Sequence, residues 1–185
     1  MKVAIRLFAA QGYETTTTLQ VSREVGVTEP TVFYHFKNKR NFFNTVLEDA
    51  SNAYMGRLEQ LDLSRPTSFE CIEAIIKFHF TIIEDEPQYM RILLRTCPSR
   101  LDDPDHKCTE IYQQARLQLK EQITHILKKG TNSGEFIQFD IDATANLLIA
   151  ILNGLMRQKI AALDPLKGVE SATIKFCRNA LLVKK

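Results

Sequence analysis

The chain has 185 residues, 44% of them hydrophobic and 25% charged, which suits one compact domain or a small head on a larger body and excludes a disordered or fibrous chain. Its formal net charge is only +2, so bulk basicity is absent and any contact with nucleic acid must come from a local patch. Cys71, Cys97, Cys108 and Cys177 form no C-x-x-C pair and are expected to be reduced thiols rather than a disulfide framework. Arg6 interrupts the apolar opening, which therefore does not read as a signal peptide, and the most apolar run, Leu147 to Leu152, is too short to cross a bilayer. A cytoplasmic protein is expected.

Helical periodicity dominates and no segment alternates strictly, so the fold class is all-α. Val3, Leu7, Phe8 and Ala10 make a first amphipathic helix, with Gly12 as its C-terminal cap. Thr17-Thr18-Leu19-Gln20 fits a capping box, so a second helix starts there and stops at Gly26. Thr28 is placed to cap a third, with Glu29 favoured by the helix dipole and Pro30 tolerated in the first turn. Asn38 caps a fourth, from about Lys39 towards Leu61. Longer helices follow at about 67–85, 87–95, 104–129, 141–162 and 166–183, punctuated by Pro66, Pro87, Pro98, Pro104, Pro165, Gly130 and Gly134. The composition shifts near residue 45, which divides the chain into a head, 1–45, and a larger helical domain, 46–185.

Within the head, Ser22, Gly26 and Val32 stand where two steeply crossing helices need a small contact, a left-handed turn and an apolar anchor. That spacing fits a helix-turn-helix, and by itself it also fits any corner between two helices. The helix after the turn sharpens the choice. Val32 and Phe36 share a face and pack inward, which leaves Phe33, Tyr34 and Lys37 pointing out beside Lys39 and Arg40. Exposed rings among lysines are costly on a merely solvated surface and reasonable on one that meets phosphates and base edges. The turn Thr28-Glu29-Pro30-Thr31 would point at the major groove. Backbone N–H groups near Thr16-Thr17 and Asn38-Lys39 would be offered to phosphates.

The gapless run LFAAQGYETTTTLQVSREVGVTEPTVFYHFKNK, residues 7–39, resembles the tetracycline-repressor (TetR) family of bacterial transcriptional regulators. It follows that family's L-F-x-x-x-G-Y, T-T, apolar-small-x-x-x-G-V-[ST] and T-apolar-aromatic-x-H-F-x-x-K pattern. The resemblance covers about the first quarter of the chain; beyond it, G-E-F at 134–136 is a looser echo. It implies that Thr28, Glu29, Pro30 and Thr31 open the recognition helix, that Phe33, Tyr34 and His35 lie along it, and that Lys39 completes a phosphate clamp. Three departures stand out. Phe33 replaces a usual Tyr, Pro30 stands where Gly is commoner, and the chain begins about a turn late, without a basic N-terminal arm. His35 is expected to be packed or phosphate-facing rather than a metal ligand or catalytic base.

In the larger domain, apolar residues surround much of the 141–162 helix, as in a core or a subunit interface. The resemblance implies a homodimer in which helices 141–162 and 166–183 pair with their copies, Asn153-Gly154 allowing close approach, and a pseudo-palindromic double-stranded operator. It also implies a small-molecule effector, here expected to be apolar or amphipathic, with Phe69, Ile76, His79, Phe80, Tyr89, Met90, Tyr112 and Leu152 as candidate pocket residues. No further cofactor is expected.

Enzyme readings find no G-x-S-x-G, phosphate-binding loop, H-E-x-x-H or Glu-x-x-His. His106-Lys107-Cys108 beside Asp103 and Asp105 reads as surface loop sooner than as a metal site, and no metal or catalytic residue is assigned. The expected function is a DNA-binding transcriptional regulator, a repressor released by its effector. The rivals are a helical interaction module that binds no DNA and a small enzyme using His79 or His106.

Overall fold

A computed structural model describes residues 1–95, 107–161 and 167–184. Nine α-helices carry the described chain: α1 Lys2–Thr15, α2 Thr18–Val25, α3 Glu29–Phe36, α4 Lys39–Glu59, α5 Ser68–Asp85, α6 Pro87–Arg95, α7 Lys107–Asn132, α8 Ile141–Ala161 and α9 Val169–Leu181. The expected start of α7 at 104, the end of α8 at 162 and the start of α9 at 166 lie outside the described residues, as do His106, Asp103 and Asp105. Among the described residues no helix is long and apolar enough to cross a membrane.

The local signals act as expected at α2 and α4. Thr17 accepts from the Gln20 N–H at 3.0 Å while its own N–H donates to the Gln20 side chain at 3.0 Å, a complete capping box. Asn38 Oδ1 accepts from the Asn41 N–H at 2.8 Å. Gly26 ends α2 at φ 77° and ψ 30°, the left-handed conformation that a residue without Cβ adopts freely. Two expectations need correction. Helix α1 breaks at Gly12 (φ 81°, ψ 176°), but one more turn carries the element to Thr15 before Thr16 returns its N–H to the Gly12 carbonyl. Thr28 occupies the N-cap of α3 without a side-chain bond to a helix N–H; its hydroxyl pairs instead with that of Thr31, 2.8 Å away.

The chain resolves into two compact units, Met1–Met55 with Glu86–Ala115, and Gly56–Asp85 with Arg116–Lys185. The first holds α1 to α3, most of α4, α6 and the start of α7. Its core at the head is aromatic: the Phe8 ring lies 5.2 Å from Phe43 and 5.7 Å from Phe42, and Phe36 meets Phe42 at a tilt, 4.4 Å away. Helix α1 also packs along α6.

The second unit is closed by the G-E-F stretch. Gly134, at φ 75°, turns the chain after α7. Glu135 then caps α5, accepting from the N–H groups of Ser68 at 2.8 Å and Phe69 at 2.9 Å. Phe136 is buried against Gly130, where an added Cβ would sit 2.3 Å from the ring. An isolated antiparallel bridge pairs Phe136 with Leu182 and ties the end of α9 to this turn. Cys71 and Cys177 are buried free thiols, whereas Cys108 is disulfide-bonded, which corrects the expectation that all four cysteines are reduced.

Candidate nucleic-acid interface

The head presents a ridge built by α2 and α3. Ser22, 1% exposed, lets the two axes approach, and its hydroxyl is spent on the Leu19 carbonyl at 2.9 Å. Val32 is buried and Phe36 half-buried, so α3 is held by one face. The other face is solvent-facing: Tyr34 is 83% exposed and Phe33 42%, with Thr28, Pro30, Thr31, His35, Lys37 and Arg40 exposed around them. The Tyr34 and His35 rings meet edge-on at 5.4 Å. Lys37 ends α3 at φ 64°, the one non-glycine residue with positive φ among those described. Its N–H reaches the Phe33 carbonyl at 2.7 Å, so a lysine at φ 64° and ψ −44° turns the chain towards α4 at the end of the ridge.

Four of the expected contact residues are engaged inside the head. Thr16 is fully buried, its hydroxyl donating to the Gly12 carbonyl at 2.8 Å, so it drops out of the contact set. The N–H groups of Thr16 and Thr17 are likewise taken, and the unpaired donors at the start of α2 are those of Thr18 and Leu19. Glu29 accepts a 2.6 Å hydrogen bond from the Thr18 hydroxyl, which clips the start of α3 to the start of α2. Lys39 donates from Nζ to the Glu14 carbonyl at 3.0 Å and lies 4.6 Å from the centre of the Tyr13 ring. The Thr17–Gln20 box was expected; the other partners were missed because each lies a turn or a helix away.

A family profile described as bacterial regulatory proteins of the tetR family matches residues 1–46. Residues 1–46 are thus a TetR-type head. The TetR-type chain is 24% identical over 158 residues to the nucleoid occlusion factor SlmA of Marinomonas sp. (strain MWYL1), covering 83% of this chain and 77% of that one. In fold it resembles the ketosteroid transcriptional regulator KstR2 of Mycobacterium tuberculosis, with a TM-score of 0.77, 16% identity and coverage of 99% and 93%. It also resembles the transcriptional regulator FadR of Bacillus subtilis, solved with stearoyl-CoA, with a TM-score of 0.75, 15% identity and coverage of 94% and 93%. The all-α architecture with an N-terminal helix-turn-helix is thus shared with these regulators, and the matched head is of their DNA-binding type.

The candidate pocket residues do not form one group. In the second unit, Ile76 and Leu152 line a void of about 10 Å³ with Ile72, Ile75, Ile123, Leu148, Ile151, Thr173 and Cys177. His79, Phe80 and Leu152 line another of about 10 Å³ with Ile83, Leu155, Met156 and Lys159. Phe69 lines neither and lies beneath the Arg178 guanidinium, 4.4 Å from it. Tyr89, Met90 and Tyr112 belong to the first unit, where Tyr89 donates to Asp49 at 3.1 Å and Met90 is buried. His79 is 1% exposed with Nδ1 2.7 Å from the Ile75 carbonyl, and burial pulls its pKa down to about 4, so it is a neutral wall residue. Lys159 was not legible as a lining residue, since nothing in its helix spacing distinguishes it from a solvated lysine. Among the described residues no three His, Cys, Asp or Glu side chains gather as metal ligands.

Proposed function

We propose that this regulator is a homodimeric cytoplasmic repressor that reads a pseudo-palindromic operator and leaves it when a small apolar or amphipathic effector binds the 46–185 domain. Thr28, Pro30 and Thr31 enter the major groove, with Phe33, Tyr34 and His35 along it. Lys37 and the first turn of α2, Thr17 included, meet phosphates, and Lys39 completes the clamp from its seat on Tyr13. Glu29 acts through Thr18 by fixing the angle of α3. The observation that carries this reading is the outward ridge, with Tyr34 at 83% exposure and lysine at its end, on a helix anchored through Val32 and Phe36 on its other face.

Two outward stripes support the dimer. On α8, Ala143, Leu147, Ala150 and Gly154 are exposed at alternating steps of four and three residues, and on α9 Ala172, Phe176 and Ala180 are exposed on one face. Leu147 is 57% exposed and Phe176 60%, an apolar surface that a monomer would leave in water. A Cβ on Gly154 would meet nothing within 4 Å, so the chain itself leaves that position open to a neighbour. The small carbon-lined voids of the second unit support an apolar effector, as does the fold shared with a FadR that carries stearoyl-CoA.

Selection of bound sites from random duplex DNA tests the reading. A palindromic consensus whose half-sites lie about one helical turn apart is the expected result. Recovery of no consensus, with binding that ignores ionic strength, would leave the interaction-module reading in its place.

A further inference from the structure

Helices α5 and α8 run parallel in the second unit. Ile72 and Ile76 share one void with Leu148 and Leu152, Phe80 and Ile83 share the next with Met156 and Lys159, and Lys159 reaches Glu84, so both numberings rise together along the seam. Leu152 lines both voids and is the partition between them. The lined stretch, Ile72 to Ile83, spans about 16 Å at the helical rise. Each void of about 10 Å³ holds no more than one water, and Leu152 is the only side chain common to their linings, so its rotamer decides whether an apolar guest can pass from one to the other. Atoms facing a void lack dispersion partners on that side, which favours an apolar guest.

The two ends of the seam differ in chemistry. Towards α9 the wall is neutral: the Thr173 hydroxyl is spent on the Val169 carbonyl at 2.8 Å, and burial pushes the Cys177 thiol pKa up. At the other end Phe80, Leu155 and Lys159 are half-exposed, and the Lys159 ammonium lies 5.9 Å from the centre of the Phe80 ring. Glu84, its ion-pair partner, has a side chain that is 69% exposed. A pair with one end in water contributes little, so an incoming anion replaces Glu84 at small cost.

We propose that the α5–α8 seam binds an acyl chain with an anionic head, the tail running past Leu152 towards Cys177 and the head taking Lys159 from Glu84. This rests on the effector reading above and names its ligand class and site. The head is a free carboxylate or the phosphates of an acyl thioester of coenzyme A.

The chain has no tryptophan, so Leu155→Trp places a single reporter at the mouth. Dodecanoate, dodecanoyl-coenzyme A and dodecanol are titrated against it, with calorimetry on the unmodified protein in parallel. The expected result is a saturable change in emission with at least one anionic ligand, at an affinity at least about tenfold above that of dodecanol. Lys159→Met, which keeps the stem, brings that ligand down to the dodecanol level. Whichever of the acid and the thioester binds more tightly identifies the head. Equal affinity for dodecanol, no response to Lys159→Met, no binding, or heat of binding without a change in emission would each overturn the proposal. Operator release is measured separately. An effector that releases DNA without disturbing the indole emission of the Leu155→Trp variant removes the seam and leaves the effector reading standing, while failure of an apolar panel to release DNA removes the effector reading itself.

Discussion

Lys39 Nζ donates to the Glu14 carbonyl at 3.0 Å and lies 4.6 Å from the Tyr13 ring, so the residue after the Asn38 cap fastens the start of α4 to the end of α1. A lysine held in this way has its ammonium oriented before DNA arrives. The same group serves the fold through one hydrogen bond and a cation–π contact, and in the proposed clamp it also supplies a charge to the phosphates.

Lys39→Met separates the two roles, because the hydrophobic stem remains on Tyr13 while the charge goes. Operator affinity is expected to fall, and the slope of log K against log salt to become shallower by about 0.9, one phosphate contact. Titrations at several salt concentrations measure it. An unchanged slope would confine Lys39 to holding α1.

Lys37 sits at φ 64° and ψ −44°, a sparsely populated region that costs an L residue about 1–3 kcal/mol. Lys37→Gly is therefore expected to raise stability by about 1 kcal/mol in urea unfolding while weakening operator binding through loss of an exposed cation. Stability and affinity moving in opposite directions is the expected pattern. A destabilised variant would show that the lysine stem contributes more than its backbone strain costs.

His79 titrates at about 4 in the folded chain against an ordinary 6.5, because burial disfavours the imidazolium. The unfolded chain therefore takes up its proton first as pH falls. The stability tied to neutral His79 is complete above about 6.5 and is lost progressively down to about 4, a total of about 3 kcal/mol. Unfolding free energies measured across that interval are expected to decline more steeply for the native chain than for His79→Gln. Parallel curves would mean that the ring finds a charged partner on protonation.

Phe176 is the more exposed of the two large side chains on the α8 and α9 stripes. Phe176→Lys places a charge in the proposed interface and is expected to shift sedimentation from dimer to monomer at micromolar concentration, with operator binding weakened as the second head is lost. The head itself should be intact, since the residue lies in the other unit. A variant that remains dimeric would move the interface elsewhere.

Local chemistry is what the sequence determined by itself. The Thr17–Gln20 box, the left-handed Gly26, the Asn38 cap and the Val32–Phe36 anchor each involve partners no more than four residues apart, close enough for composition and spacing to specify them. The gapless pattern of residues 7–39 is made of such units, which is why the DNA-reading head was legible before any coordinates. Tertiary structure decided everything that depends on distant partners: the burial of Thr16, the Thr18–Glu29 clip, the Lys39–Glu14 bond, and Glu135 capping α5 from 66 and 67 residues away. It also set Phe136 on Gly130 and brought Lys159 to the mouth of an apolar seam. Helical periodicity shows which face of a helix is buried, but not which other helix covers it, because the hydrophobic effect that buries the face has no direction.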